Sequence, residues 1–421
     1  MRTVGMIVEY NPLHNGHVHH CREAKKAANA DAVIAVMSGP FLQRGEPALC
    51  SKWARTEMAL AMGADLVIEL PTAFAVQPAE WFAYGAVSAL EATGVADALV
   101  FGSESGQIGW FRELADLLRV EPPELKARLQ ERLRAGASYP AAYASAAASL
   151  VPSPDEGKLS QPNNVLGLQY CLALERLGSG IEPLTIPRLG AGYHEREAGG
   201  ADAAPGIASA TAVRQLLLRD PTPSGIAAAA PYLPPATVSI LQREWQAGRG
   251  PLHWESFSAP LLHLLLTLPD SAYADLAEMG EGLEHRIRQA LPVLPLQQGR
   301  FVEQLLDATK TRRYTRPRLQ RALLSILLMR RKDELSREVL EQGVPYLRIL
   351  GFSSTGRELL KRMKQTAKVP VVTKVARGAS SLLSLDLRAS AAYAAAFSPA
   401  DERELFRDYY QAPLQAEQQE G

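Results

Sequence analysis

The sequence predicts an α/β protein: a Rossmann-like parallel sheet covered by helices in the first half, followed by a mainly α-helical second half. Three observations carry that expectation. Short apolar runs recur between helical patterns as far as residue 187, the first of them leads straight into His14-Asn15-Gly16-His17, and beyond Asp220 leucine-rich helical patterns replace the strand signal. Strands spaced by helices imply right-handed crossovers and a parallel sheet with both faces covered.

Val4 to Val8 is a continuous apolar run of the kind that parallel strands show. Asn11-Pro12 breaks it, and Val18, Cys21, Ala24 and Ala28 then repeat at helical spacing. Ala32 to Met37, Leu66 to Leu70, Ala98 to Phe101 and Leu184 to Pro187 are the next four strands. An insert from about Gly109 to Leu177 reads as several helices, broken at Pro122-Pro123 and Pro152-Ser153-Pro154. Its alanine-rich run 139–149 is expected to be a packed helix, because Tyr139 and Tyr143 lie one turn apart. The proline-rich stretch Pro221 to Pro235 reads as a seam, giving domains at 1–220 and 221–421. In the second, Ala259 to Thr267, Gly282 to Ala290 and Arg321 to Arg331 are helical, while Tyr346 to Gly351 and Arg357 to Met363 form a short strand and helix.

At 421 residues the chain is long for one core, which makes two domains the expectation. With 45 basic and 45 acidic residues and 47% hydrophobic content, neither disorder nor a uniformly nucleic-acid-coating surface is indicated. The balance is local: residues 301–378 carry 18 Lys and Arg against 7 Asp and Glu. Cys21, Cys50 and Cys171 are widely spaced and odd in number, as expected of reduced thiols. With no signal peptide and no apolar run long enough to span a bilayer, a soluble cytoplasmic protein without a membrane partner is expected.

Ligands of open α/β sheets sit beyond the carboxyl ends of the strands. His14 follows the first strand, Ser38-Gly39 the second, Gly102-Ser103 the fourth and Arg188 the fifth, which points to one nucleotide crevice. His14 and His17 share one side of a first helical turn, where free N–H groups and the helix dipole favour phosphate. Gly16 between them leaves the backbone open to a nucleotide. A solvated histidine pair is the plainer reading, and a zinc site of His14, His17, His19 and His20 is a third. Zinc is disfavoured because there is no Cys-x-x-Cys and only Glu9 and Glu23 lie nearby, and no residue is assigned as a metal ligand.

The strand–HxGH–helix unit resembles the signature of class I aminoacyl-tRNA synthetases and the related small nucleotidyltransferases, the HUP group. The segments GMIVEYNPLHNGHVHH, SKWARTEMAL, GADLVIELP, PNNVLGLQY, TIPRLGAGYH and IASATAVRQLL together resemble the tRNA(Met) cytidine acetate ligase family, over the first 220 residues and more loosely to the end. The resemblance implies a ligase that forms acetyl-adenylate from acetate and ATP. Acetyl then passes to the exocyclic amine of the wobble cytidine of elongator tRNA(Met), giving N4-acetylcytidine. It implies a triphosphate held by His14 and His17 as catalytic residues. The ATP site would be lined by Ile7, Val8, Glu9, Tyr10, Asn11, Pro12, Leu13, Asn15, Gly16, Val18, His19 and His20 beside them. Gly102, Asn163, Arg188, Leu189, Ser209, Thr211 and Arg214 complete it. Asn163 is also an N-cap candidate for a helix from Asn164 to Leu177. Position 210 is alanine where related nucleotidyltransferases have serine, and the Lys-Met-Ser-Lys-Ser loop of synthetases is absent.

Magnesium is expected with ATP, since a polyphosphate needs a counter-charge. Arg44 and Lys52 either reach the substrate side or lie on a solvated helix face. Lys310, Arg312, Arg313, Arg316 and Arg321, interleaved with Tyr314, are either a solvated helix end or contacts to tRNA phosphates, and the implied substrate favours the second. A small-molecule adenylyltransferase of coenzyme biosynthesis would use the same clamp but has no use for a long basic second half. A non-catalytic tRNA-binding protein is the other alternative, and the intact His14, Gly16, His17 and Arg214 speak against it.

Overall fold

The computed structural model describes residues 1–120, 122–137, 139–150, 159, 161–188, 206–295, 299–376 and 380–416. Five strands, β1 (Thr3–Val8), β2 (Ala32–Ser38), β3 (Leu66–Leu70), β4 (Ala98–Ser103) and β5 (Glu182–Pro187), form a parallel sheet in the order β5-β4-β1-β2-β3. β4 and β5 run two residues further than their apolar stretches predict, because their ladder pairs Ala98 with Glu182 through Ser103 with Pro187. Side chains alternate between two cores. Val4, Met6, Val33, Ala35, Met37 and Val67 face the helices Asn15–Ala27, Lys52–Met62 and Ala210–Arg219. Ile34, Val36, Leu66, Ile68, Leu99 and Phe101 face Ala79–Thr93 and Pro162–Leu177.

The chain runs β1, β2, β3 in one direction and then crosses to place β4 on the other side of β1. The loops after β1 and β4 therefore diverge, which opens a crevice at their carboxyl ends.

The insert folds as the helices Gly109–Leu118, Pro123–Arg134, Tyr139–Ala148 and Pro162–Leu177, three of them with proline in the first turn. The Pro152-Ser153-Pro154 break lies outside the described residues.

Beyond residue 220 the chain is mainly helical, but it returns to the sheet. β6 (Leu347–Phe352) lies antiparallel beside β3, with β7 (Val371–Val372) and β8 (Leu414–Gln415) parallel to β6. The strand at 346–351 was legible; its partner was not. β6 satisfies the otherwise unpaired edge of β3, so the seam near 221–235 does not divide the sheet. The helix expected from Arg321 begins at Arg316, with Pro317 in its first turn, and stops at Leu328, where Met329 takes φ 49.

The closing helices also bury charge. Lys52 Nζ lies 2.8 Å from both Glu69 carboxylate oxygens and 2.9 Å from Asp408 Oδ1, and Arg348 Nη2 donates to the Asp408 carbonyl at 3.1 Å. Lys52 therefore does not reach the substrate side: it is buried, as is Arg55 on the same helix. Cys21, Cys50 and Cys171 are buried and free. Among the described residues no helix is long and apolar enough to cross a membrane.

Candidate active site

The turn after β1 is braced from beneath. Asn11 Oδ1 accepts the Leu49 N–H at 2.7 Å, and Arg55 donates to the Glu9 carbonyl at 2.7 Å, the Ser38 carbonyl at 3.0 Å and the Gly39 carbonyl. Ser38 and Gly39 are thereby engaged in the core and, contrary to the sequence expectation, do not line the crevice.

His14 is the N-cap of the helix Asn15–Ala27. Its Nδ1 accepts the Gly16 N–H at 3.1 Å, while His17 Nδ1 accepts the His14 N–H at 3.2 Å. This is a reciprocal capping box built from two imidazoles instead of the usual hydroxyl and carboxyl. The rings lie 3.8 Å apart, centroid to centroid. A Cβ on Gly16 would stand 2.8 Å from His14 Cε1. Gly16 thus makes room for the capping ring.

Because each Nδ1 accepts, each neutral ring carries its proton on Nε2. Burial, reinforced by Arg188 and Arg214, lowers His14 to about 3. Burial, with His14, His20 and both arginines, holds His17 well below its ordinary value. The pair supplies two neutral N–H donors at a helix N-terminus, an anion site that needs no protonation.

Arg188, one residue past β5, donates to Asn163 Oδ1 at 3.2 Å. Asn163 in turn donates to Glu104 Oε1 at 2.6 Å. Glu104, unrecognised in the sequence, also accepts the backbone N–H groups of Asn163 at 3.3 Å and Asn164 at 2.9 Å. The helix starts at Pro162 with Gln161 as N-cap, so Asn163 is not the cap. A carboxylate from the end of β4 does that work from 60 residues away in the chain.

Ser209 caps the helix Ala210–Arg219 through the Ala212 N–H at 3.1 Å. Arg214 reaches back to the Asn11 carbonyl at 3.1 Å and Thr211 Oγ1 at 3.2 Å. A second helix N-terminus and an arginine thus close on the turn after β1.

These parts share a cleft of about 790 Å³. Ile7, Val8, Glu9, Asn11, His14, Gly16, His17, His19, His20, Gly102, Asn163, Arg188, Ser209, Thr211 and Arg214 line it. Tyr10, Pro12 and Leu13 are buried away from it, and Val18 packs against the core. Asn15 braces the helix start instead, donating to the Gly206 carbonyl at 2.8 Å and the Pro231 carbonyl at 3.1 Å. Leu189 lies outside the described residues. Among the described residues no group of three His, Cys, Asp or Glu is placed to hold a metal ion.

The cleft extends beyond the predicted residues. Leu42, Gln43, Arg44 and Glu46 line it from the loop after β2, and Phe82, Phe101, Leu166 and Tyr170 form an apolar and aromatic wall. Pro317 and Arg321 come from the helix Arg316–Leu328 and Thr315 from its N-cap. Gly45, at φ +80, lets that loop approach the helix: a Cβ would stand 2.6 Å from the Arg321 nitrogen.

The basic segment is less bare than its sequence suggests. Arg313 pairs with Glu281 at 2.9 Å, Arg316 with Glu303 at 2.5 Å and Arg321 with Glu278 at 2.6 Å. Arg330 is buried and donates to the Val76 carbonyl at 2.8 Å. Lys310 and Arg312 are exposed and have no carboxylate partner among the described residues.

A family model described as HIGH Nucleotidyl Transferase matches residues 1–408. The tRNA(Met) cytidine acetate ligase of Acetivibrio thermocellus is 41% identical over 379 residues, spanning 89% of this chain and 88% of the relative. That of Bacillus subtilis is 38% identical over 425 residues, spanning 100% and 99%. The crystal structure of Thermotoga maritima TmcAL in its apo form I superposes with a TM-score of 0.88 at 34% identity, over 99% of both chains. The same protein bound with alpha-thio ATP superposes with a TM-score of 0.86 at 34% identity, again over 99% of both.

Proposed function

The chain belongs to the tRNA(Met) cytidine acetate ligase family of HIGH nucleotidyl transferases, and from that membership we propose how this ATP-using ligase works. It activates acetate as acetyl-adenylate and passes the acetyl group to N4 of the wobble cytidine of elongator tRNA(Met), giving N4-acetylcytidine. The observation that carries this reading is the convergence of the His14–His17 capping box, Arg188 and Arg214 on one cleft. Acetate and triphosphate are both anions, so their reaction needs donors already in place where charge builds up.

In this reading His14 and His17 donate from Nε2 to the triphosphate, and Arg214 with the Ser209–Thr211 helix start grips it from the opposite side. Arg188, held by Asn163, faces the α-phosphate, and Gly102 lies beneath the adenosine. An acetate oxygen attacks the α-phosphorus and pyrophosphate leaves. Magnesium would supply the counter-charge that the triphosphate needs, and among the described residues Glu9 and Glu46 are the carboxylates of the cleft wall that could approach it. Residues 1–220 carry the ATP chemistry and 221–421 the contacts to the tRNA backbone, in the cytoplasm where tRNA is modified. The cleft half formed by the loop after β2, the aromatic wall and the helix Arg316–Leu328 receives the nucleotide. A small-molecule adenylyltransferase would leave that half without a role.

Incubation with labelled acetate, ATP and bulk tRNA, followed by nucleoside analysis, tests the reading. ATP-dependent label in N4-acetylcytidine is expected; label confined to small molecules would replace the reading with the adenylyltransferase.

Arg188→Ala and Arg214→Ala are each expected to weaken ATP binding roughly tenfold or more, a loss of about 1.4 kcal/mol or greater. Lysine should restore only part, since a point charge cannot reproduce the guanidinium fork. An ATP titration of Arg188→Ala that matched the wild type would remove that residue from the site.

Lys310→Glu/Arg312→Glu is expected to weaken tRNA binding and make its salt dependence shallower by about 1 to 2 in the log–log slope. These two positions are chosen because Arg313 and Arg316 already hold carboxylates. Unchanged affinity across a salt series would move the tRNA surface elsewhere.

A further inference from the structure

We propose that the carboxylate of Glu9 is the general base that takes the proton from the cytidine N4 amine as that amine attacks the acetyl carbonyl. The proposal rests on the acetate-ligase reading and adds the residue that the transfer step requires. The cytosine amine is a weak nucleophile, because its lone pair is delocalised into the ring. It must therefore lose a proton as the new bond forms.

Glu9 is the first residue beyond β1 and lines the cleft where its two halves adjoin. It feels Arg214 from the phosphate half and Glu46 and Arg44 from the nucleotide half. Its own charge acts on Tyr170 in the aromatic wall and on the buried Arg55 beneath it. Its position is held firmly. Oε1 accepts the Gln43 N–H at 2.8 Å, Gln43 Nε2 is anchored on the Gln77 carbonyl at 2.9 Å, and the Glu9 carbonyl accepts from Arg55 at 2.7 Å.

Among the described residues no cation forms an ion pair with Glu9, so its basicity is not spent on a partner. Burial pushes the carboxyl above its ordinary value and Glu46 adds to this, while the Gln43 N–H, Arg214 and Arg44 pull it back only in part. A base raised toward the working pH is the more effective proton acceptor. Glu46, the other carboxylate on the cleft wall among the described residues, lies on the loop after β2, where its charge acts on Arg316.

The step balances. N4 forms a bond to the acetyl carbon, and the carbonyl π pair moves to oxygen. That pair returns as the bond to the phosphate oxygen breaks, and AMP departs with the bonding electrons. The N4 proton passes to Glu9. The same carboxylate accepts a hydrogen bond from a cytosine N4–H and repels the O4 acceptor of uracil, so one side chain serves both selection and transfer.

The test is single-turnover transfer from synthetic acetyl-adenylate, at saturating concentration, to a tRNA(Met) transcript. This removes ATP activation from the measurement. Wild-type transfer should rise with pH as Glu9 loses its proton and then level off. Glu9→Gln should transfer about 100-fold more slowly, with that limb gone. Glutamine keeps an oxygen acceptor for the Gln43 N–H, so a purely structural Glu9 predicts a wild-type rate and profile, which would overturn the proposal. Its thermal midpoint should match or exceed the wild type, because a partly buried charge has been removed. Glu9→Asp decides independently: slower transfer with a displaced pH limb supports the assignment, and an unchanged rate and profile overturns it. A wild-type enzyme that does not transfer from acetyl-adenylate at all would end the acetate-ligase reading, and this proposal with it.

Discussion

Replacing His17 or His14 with alanine is expected to lower acetate-dependent pyrophosphate release by about 100-fold or more, the loss that follows removal of a preorganised donor in the transition state. The capping box adds a structural consequence. His14→Ala removes the N-cap, and His17→Ala removes the acceptor of the His14 N–H, so each should also cost about 0.5–2 kcal/mol of stability. The two losses separate with other substitutions. His14→Asn keeps a capping oxygen and His17→Gln keeps an N3 acceptor, so both should regain stability without regaining activity. Pyrophosphate release alongside thermal melts reads both quantities; near-normal release in both alanine variants would end the phosphate-clamp assignment.

The depressed histidines also set a sign for acid. His14 titrates at about 3 in the fold, so between that value and its ordinary one near 6.5 the unfolded chain binds the proton and the folded chain does not. This contribution to stability is present above the ordinary value and is lost as pH falls toward the folded one. Activation itself should show no histidine limb near pH 6.5, since both rings are already neutral there.

Lys52→Met should be the most destabilising single change, costing roughly 3–5 kcal/mol, because it leaves Glu69 and Asp408 buried without their shared cation. Burial alone would raise the Asp408 carboxyl, but Lys52 and Arg348 beside it hold it below its ordinary value. Without Lys52 that carboxyl must rise, joining Glu69, which burial already raises. The variant then loses stability as pH increases through those raised values, so its deficit should be largest at neutral pH and shrink in acid. Adding Asp408→Asn should recover part of the loss. Denaturant midpoints at two pH values measure both effects, and a deficit under about 1 kcal/mol would show that the network contributes little.

The parallel sheet and the His14–His17 turn after β1 were legible in the sequence for a local reason. β1 to β5 are short apolar runs, and His14, Gly16, His17 and the Ser209 cap each act through neighbours within a few residues. Strand propensity, a proline break and helix capping are all local properties, so one stretch of chain suffices to express them.

What required the tertiary structure was every pairing between distant segments. Nothing near Glu104 reveals that it caps a helix beginning at Pro162, and nothing near Lys52 reveals that Asp408 waits to bury it. The sequence placed the strand at 346–351 but not its antiparallel seat on β3, and a charge count could not show that Glu281, Glu303 and Glu278 already hold Arg313, Arg316 and Arg321. The half of the cleft beyond the clamp, from Gln43 to Arg321, exists only because Gly45 lets a loop from one end of the chain meet a helix from the other. Local chemistry determined what the turn after β1 is made of, whereas burial and long-range contact, which depend on the whole chain closing on itself, decided which charges remain available and what lies beside them.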